Sequence, residues 1–348
     1  MIIGKISFKI RVMLELNVNA KSPGAITAAF KKIKEMITSG AIDNTVPVHI
    51  VLDSGTYHEV IRYNLSNPLV MEAAPGVPPE ACIVQADNSE QFNRGVENRS
   101  VFVLGPNVTN VSLKHFSVVN THTKTIDGDA PVSDSAEAFT FNNTTGTLFA
   151  EDMRFEGKQN TLCLKGFSWF LNCYISGDVD FIYGDIDTAL FEDCRIHVIE
   201  DNRGDYPGYV VKSSAFANKK GFIFYNSTFV CEKRKHSKVY LARTLGKGSA
   251  TSLKNWDSIA FINCVVSDLF SDELLWDDDM SLNVYPRGNF KNGVREYNTR
   301  VMDKNGNMEV ADTSMRNVKT YLMTEDDYFK GYATRYLILH DTPFAEII

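Results

Sequence analysis

No run of 18 uncharged apolar residues occurs anywhere in this chain of 348, so no segment is long enough to cross a bilayer as a helix, and no membrane partner is expected. A basic surplus is also missing. The chain carries 43 acidic residues against 36 Lys and Arg, a net charge of −7, which leaves no footprint for a phosphate backbone and excludes nucleic acid as the expected partner. An acidic polymer would need local cations in its groove. The six cysteines (Cys82, Cys163, Cys173, Cys194, Cys231 and Cys264) form no closely spaced pairs. In a chain of this size that spacing argues against a disulfide framework and a zinc site, and for reduced core residues; neither metal nor cofactor is expected. Met1 to Arg11 intersperses cations with apolar residues and lacks a signal's unbroken apolar run and cleavage site. The cytoplasm is therefore the expected compartment, with secretion the alternative if a leader has been removed. No Pro/Gly/Ser-rich linker divides the sequence, so a single domain over 1–348 is expected.

What is present is a repeat. The segments Leu113-x-x-Phe116-x-Val118, Ala150-x-x-Met153-x-Phe155, Phe170-x-x-Cys173-x-Ile175, Phe191-x-x-Cys194-x-Ile196, Phe224-x-x-Ser227-x-Phe229 and Phe261-x-x-Cys264-x-Val266 share one pattern. Five of them place Asp or Asn just before the small residue: Asp152, Asn172, Asp193, Asn226 and Asn263. Their starts lie 37, 20, 21, 33 and 37 residues apart, which fits a minimal coil of about 20 residues with loop insertions. That period is too short for a strand plus a crossover helix. It predicts an all-β fold, a single-stranded right-handed parallel β-helix whose coils stack at about 4.8 Å. A β-sandwich with accidental matches is the competing fold. Ile26, Phe30, Ile33 and Ile37 fall on one helical face within residues 24–39, and Gly40 can end that helix. Such a helix is expected to cap one end of the solenoid. The expected layout is an N-terminal cap over about 13–45, coils over about 46–300, and a C-terminal segment packed outside over about 301–348.

The repeat also fixes a register. If Ala150 stacks under Phe170, then Asn160 stacks under Asp180, with Gln159 beside it. Polar residues crowd this region: Glu137, Gln159, Asn160, Asp178, Asp180 and Asp185. Asp178 and Asp180, two apart on a strand, are expected on one face, where they would titrate as a coupled set suited to acid, base or nucleophilic work. A solvated acidic surface or a calcium cage is the alternative on these residues alone.

Residues Gly177-Asp-Val-Asp-Phe-Ile-Tyr-Gly184 resemble the pectin methylesterase signature Gly-x-Val-Asp-Phe-Ile-aromatic-Gly. Gln159-Asn-Thr-Leu162 is similar to that family's Gln-Asp-Thr-Leu, Tyr240-Leu-Ala-Arg243 to its Tyr-Leu-Gly/Ala-Arg, and Gly55-Thr-Tyr-His-Glu59 to its Gly-x-Tyr-x-Glu. Ala136-Glu-Ala-Phe139 stands at the place of a Gln-Ala-x-Ala-type segment. The resemblance, to the bacterial type, implies the pectin-lyase-like solenoid and metal-free hydrolysis of methyl esters on galacturonate units of pectin or oligogalacturonides. It implies that Asp180 is the nucleophile of an acyl-enzyme and that position 160 is the general acid. Gln159 and Glu137 would line the oxyanion site, and Arg243 would hold Asp180 ionised. Tyr183 is expected against a sugar ring, with Asp178, Val179 and Leu245 at substrate-binding positions. A monomer is expected.

Three positions depart from the family pattern. Asn160 replaces an Asp, and an amide does not deliver a proton at neutral pH. Glu137 stands where many members have Gln, and Leu245 replaces a Trp. A non-catalytic pectin-binding β-helix is therefore the alternative function, and a calcium-dependent lyase-like β-helix enzyme a more distant one.

Overall fold

The computed structural model describes residues 13–124, 134–200, 207–232, 238–270, 283–316 and 319–348. The N-terminal segment read above for a leader lies outside them. The described chain winds into a parallel β-helix with three sheets of 11, 10 and 7 strands. The repeat aligned in sequence is the register of the longest sheet: Leu113 pairs with Ala150, Ala150 with Phe170, Phe170 with Phe191, Phe191 with Phe224, and Phe224 with Phe261. The ladder runs further than the repeat did. Leu16 pairs with Ile50, Ile50 with Met71, and Met71 with Leu113 on one side, and Phe261 pairs with Glu296 on the other.

Stacking puts like on like. The rings of Phe170, Phe191, Phe224 and Phe261 lie face to face, with successive centroids 4.7, 4.7 and 5.4 Å apart. The small-residue column does more than fill space. Cys173 Sγ donates to the Ala150 carbonyl at 3.5 Å, Cys194 Sγ to Phe170 at 3.5 Å, Ser227 Oγ to Phe191 at 3.0 Å and Cys264 Sγ to Phe224 at 3.4 Å. A thiol and a hydroxyl serve interchangeably here because each is a compact donor reaching one coil back. All six cysteines are free thiols.

The Asx column marks the corner between two sheets. Asp152, Asn172, Asp193, Asn226 and Asn263 have φ between 51° and 54°, left-handed backbone that Asp and Asn tolerate better than other side chains. Each donates its backbone N–H to a carbonyl of the next coil: Leu171, Glu192, Tyr225, Ile262 and Tyr297, at 2.9–3.0 Å. The polar residue that recurs before the small residue in these segments is what lets the strand turn without losing its ladder.

The helix Ala25–Thr38 buries Ile26, Ala29, Phe30 and Ile33 in the core shared with the first coils, and Gly40 leaves it at φ 75°. Its N-cap, Gly24, offers no side chain. Glu59 supplies the cap from a distance. One carboxylate oxygen accepts from Ile26 N–H at 3.0 Å, and the other from Thr27 N–H at 2.9 Å and its hydroxyl at 2.7 Å. Tyr57 meanwhile donates to the carbonyls of Val18 (2.8 Å) and Asp53 (3.0 Å). The Gly-x-Tyr-x-Glu motif thus fastens the helix to the solenoid. At the other end, the helices Glu325–Gly331 and Arg335–Leu339 lie on the outer face of the long sheet. There Met323, Tyr332, Ile338, Leu339 and Phe344 cover Trp169, Leu190, Ile223 and Ile262.

Replacing Glu59 with Ala removes both the cap hydrogen bonds and an anion at the helix N-terminus, and should lower unfolding free energy by about 1–2 kcal/mol in a denaturant titration. Phe191→Ala, which breaks the ring stack at its middle, should lower it by roughly 3–5 kcal/mol.

Candidate active site

The seven-stranded sheet carries the polar constellation on its outer face. Its strands run in the spatial order Ile61–Tyr63, Phe102–Leu104, Phe139–Phe141, Leu162–Leu164, Val179–Tyr183, Gly208–Lys212 and Val239–Arg243. Across four coils, Cys163, Tyr183, Lys212 and Arg243 share one row.

Asp180 is set by a bulge. Val179 pairs with Tyr209 and Ile182 with Val211, so three steps on one strand face two on the next. Asp180 lies in the extra stretch with φ 49°, and Asn160, one coil earlier, has φ 69°. Two left-handed non-glycine residues on neighbouring coils are a concentration of backbone strain, which such folds keep where a side chain must be aimed. Gln159 pairs with Val179, and Asn160 N–H donates to the Val179 carbonyl at 3.1 Å, which sets Asn160 under Asp180. The flanking glycines are steric requirements. A Cβ on Gly177 would stand 2.2 Å from Phe181 Cβ, and one on Gly184 (φ 140°) would stand 1.8 Å from the Leu164 carbonyl oxygen.

Arg243 clamps Asp180 with two prongs: Nε donates to Oδ1 at 2.6 Å and Nη2 donates to Oδ2. Lys212 Nζ stands 3.4 Å from Oδ2, with a third of its side chain exposed. The Arg243 guanidinium rests 4.6 Å above the Tyr209 ring, which stacks on Tyr240 at 5.7 Å. The carboxylate is fixed and only 3% exposed, so it loses little freedom when it engages a ligand.

Glu137 is fully buried and acts wholly as an acceptor. Arg99 donates through Nε to Oε2 at 2.6 Å and through Nη2 to Oε1 at 2.7 Å; Tyr183 donates its hydroxyl to Oε1, and Asn160 Nδ2 lies 3.5 Å from the same oxygen. Arg99 also donates to Glu90. Burial alone would weaken the Arg99 charge, but the bonds to Glu137 and Glu90 outweigh it and raise its pKa above the ordinary value. Burial, followed by the proximity of Cys163 and Glu137, pushes the Tyr183 hydroxyl well above its usual range. Tyr183 therefore points its polar end into the wall at Glu137. Gln159 and Leu245 are both half-buried, the first under Asp180 and the second just beyond Arg243; Val179 is largely buried in the strand.

Asp178 requires correction. It was expected on one face with Asp180, as a coupled carboxylate at the substrate. Instead it is fully buried, with Lys124 Nζ 2.6 Å from its Oδ1, and that lysine is equally buried. The left-handed turn at Asp180 breaks the two-residue alternation on which the expectation rested, so each carboxylate has its own cation.

Besides Arg99 and Lys124, two further residues of this site were missed in the sequence. Lys212 is one, although Tyr209-Val-Val-Lys212 repeats the spacing of Tyr240-Leu-Ala-Arg243, and the two stretches pair. Asp257 is the other. Fully buried, it accepts from Ser213 Oγ, from Thr244 Oγ1 at 2.8 Å and from the Tyr285 N–H at 2.9 Å. It thereby ties together the residues that immediately follow Lys212 and Arg243.

With this geometry in view, the pectinesterase family model matches residues 22–322 of the chain. The chain belongs to the pectinesterase family. A probable pectinesterase/pectinesterase inhibitor of Arabidopsis thaliana is 24% identical over 281 residues, covering 77% of this chain and 44% of that protein. The chain spans less than two thirds of the length of the first curated relatives it matches, 44%, 45% and 60%. Among solved structures, pectin methylesterase PemA from Erwinia chrysanthemi superposes with a TM-score of 0.66 at 19% identity, covering 95% of this chain and 98% of that one. A pectin methylesterase variant in complex with a hexasaccharide gives 0.67 at 20% identity, with the same coverage. At such identities the superpositions carry the fold: this chain shares their parallel β-helix.

Burial pushes the Asp257 carboxyl above its ordinary value, against the hydrogen bonds from Ser213, Tyr285 and Thr244 that act to lower it. A carboxyl raised in the folded state contributes stability below its unfolded pKa and loses it as pH rises through the folded one. Asp257→Asn should therefore flatten the fall in melting temperature between acid and neutral pH, read from thermal melts across that interval.

Proposed function

We propose that this protein removes methyl esters from galacturonate units of pectin or oligogalacturonides through an acyl-enzyme on Asp180. The observation that carries this reading is the Asp180 carboxylate itself, held in a strained bulge and gripped by both prongs of Arg243. The two hydrogen bonds from one guanidinium orient the carboxylate and fix its lone pairs, as attack on an ester carbonyl needs. On this reading the side-chain amides of Gln159 and Asn160, on the coil below, serve as donors to the developing oxyanion. Glu137 orients this wall through Arg99, Tyr183 and Asn160 and does not itself donate. Leu245 offers an apolar surface beside Arg243 for a sugar ring. The solved pectin methylesterase complex with a hexasaccharide supports an oligosaccharide as the bound class.

One feature favours a second reading, a binding protein without turnover: Asn160 brings an amide to the position that the family pattern gives to a proton donor. Methanol release from highly methylated pectin separates the two. Under the esterase reading the chain releases methanol, and Asp180→Asn lowers the rate by roughly 10⁴-fold or more. If the chain binds methylated oligogalacturonides in calorimetry and releases no methanol, and Asn160→Asp releases none either, the binding reading replaces it.

A further inference from the structure

We propose that Lys212 is the proton donor and acceptor of this site, taking the part that an amide at position 160 does not perform; the inference rests on the ester-hydrolysis reading above. The titratable groups around Asp180 are otherwise committed. Glu137 is filled by Arg99 and Tyr183, and Tyr183 by Glu137. Asp178 is sealed away with Lys124. Arg243 holds both oxygens of Asp180, and a guanidinium does not give up its proton in a protein. Lys212 alone among these combines a transferable proton, a side chain one-third exposed, and contact with a reacting atom, its Nζ being 3.4 Å from Asp180 Oδ2. It shares a row with Tyr183 and Arg243, so strand register delivers it to the side of Asp180 opposite Asn160.

The steps balance. An Asp180 oxygen forms a bond to the ester carbonyl carbon. On collapse, the bond from that carbon to the methoxy oxygen breaks, and the ammonium of Lys212 hands its proton to the departing oxygen, so methanol leaves and a neutral amine remains. Methoxide is a far stronger base than an amine, so the transfer runs downhill. The amine then removes a proton from a water molecule as its oxygen adds to the mixed anhydride. The bond to Asp180 breaks, the uronic acid loses its proton to solvent, and Lys212 is an ammonium again. No oxidant or metal enters.

The test measures methanol release by the whole chain and its variants over a range of pH, with folding checked by circular dichroism. Lys212→Met should lower kcat by about 10²–10⁴-fold with KM little changed. Lys212→Arg keeps the positive charge beside Asp180 but holds its proton, and should be impaired as deeply. Ethylamine in the buffer should restore part of the rate to Lys212→Ala, and Asn160→Asp placed in the Lys212→Met background should restore turnover. Full activity in Lys212→Met overturns the proposal, as does rescue by Lys212→Arg, which would make the residue an electrostatic support. An uronyl adduct on Lys212, detected by mass spectrometry, overturns it by making the amine a nucleophile. If the native chain is silent while Asn160→Asp releases methanol, the esterase reading stands and this one falls; if both are silent, both fall.

Discussion

A parallel solenoid depends on one constraint above all: each coil must present its strands to the next in unbroken register while turning the chain through sharp corners. A turn needs backbone that ordinary side chains resist, and a ladder needs every N–H to find a carbonyl. The column of Asp and Asn at φ near 52° meets both demands, since each such residue takes the left-handed turn and still donates to the coil above. The stacked phenylalanines and the thiol column follow from it. Rings can lie face to face at strand spacing only if every corner turns at the same place. The site follows as well, because its residues belong to different coils and meet only through register.

That dependence explains what could be read in the sequence and what could not. The six segments from Leu113 to Phe261 were legible because corner, ring and small residue recur together, and their alignment reproduces the strand pairing residue for residue. The earlier coils escaped because the positions in register with the Asx column there are Leu52 and Ala73, which carry no polar mark. Within the site, counting along coils put Asn160 beneath Asp180, but the same strand alternation failed at Asp178, because a bulge is invisible to a two-residue period. Lys212 lies 29 positions after Tyr183, beyond a loop of no fixed length, so spacing alone did not connect it to Asp180. Asp257 carries no motif at all. Its importance lies in three hydrogen bonds to distant segments.

The electrostatics of the molecule divide along the same lines. The chain is acidic as a whole, yet the outer face of one sheet gathers Arg99, Lys124, Lys212 and Arg243, each answered by a carboxylate: Glu137, Asp178 or Asp180. Pairing of this kind, largely out of solvent, lets charge be concentrated without the penalty of an isolated buried ion.

The tie made by Asp257 reaches beyond the pH response of stability. Because it holds Ser213 and Thr244, the two strands ending at Lys212 and Arg243 are joined at the very place where the chain leaves them for long excursions. Those excursions can lengthen, shorten or change composition without sliding one cation past the other. Loop evolution and the geometry of charge are thereby uncoupled: the connecting segments are free to be remade while the carboxylate and its two cations keep their placement.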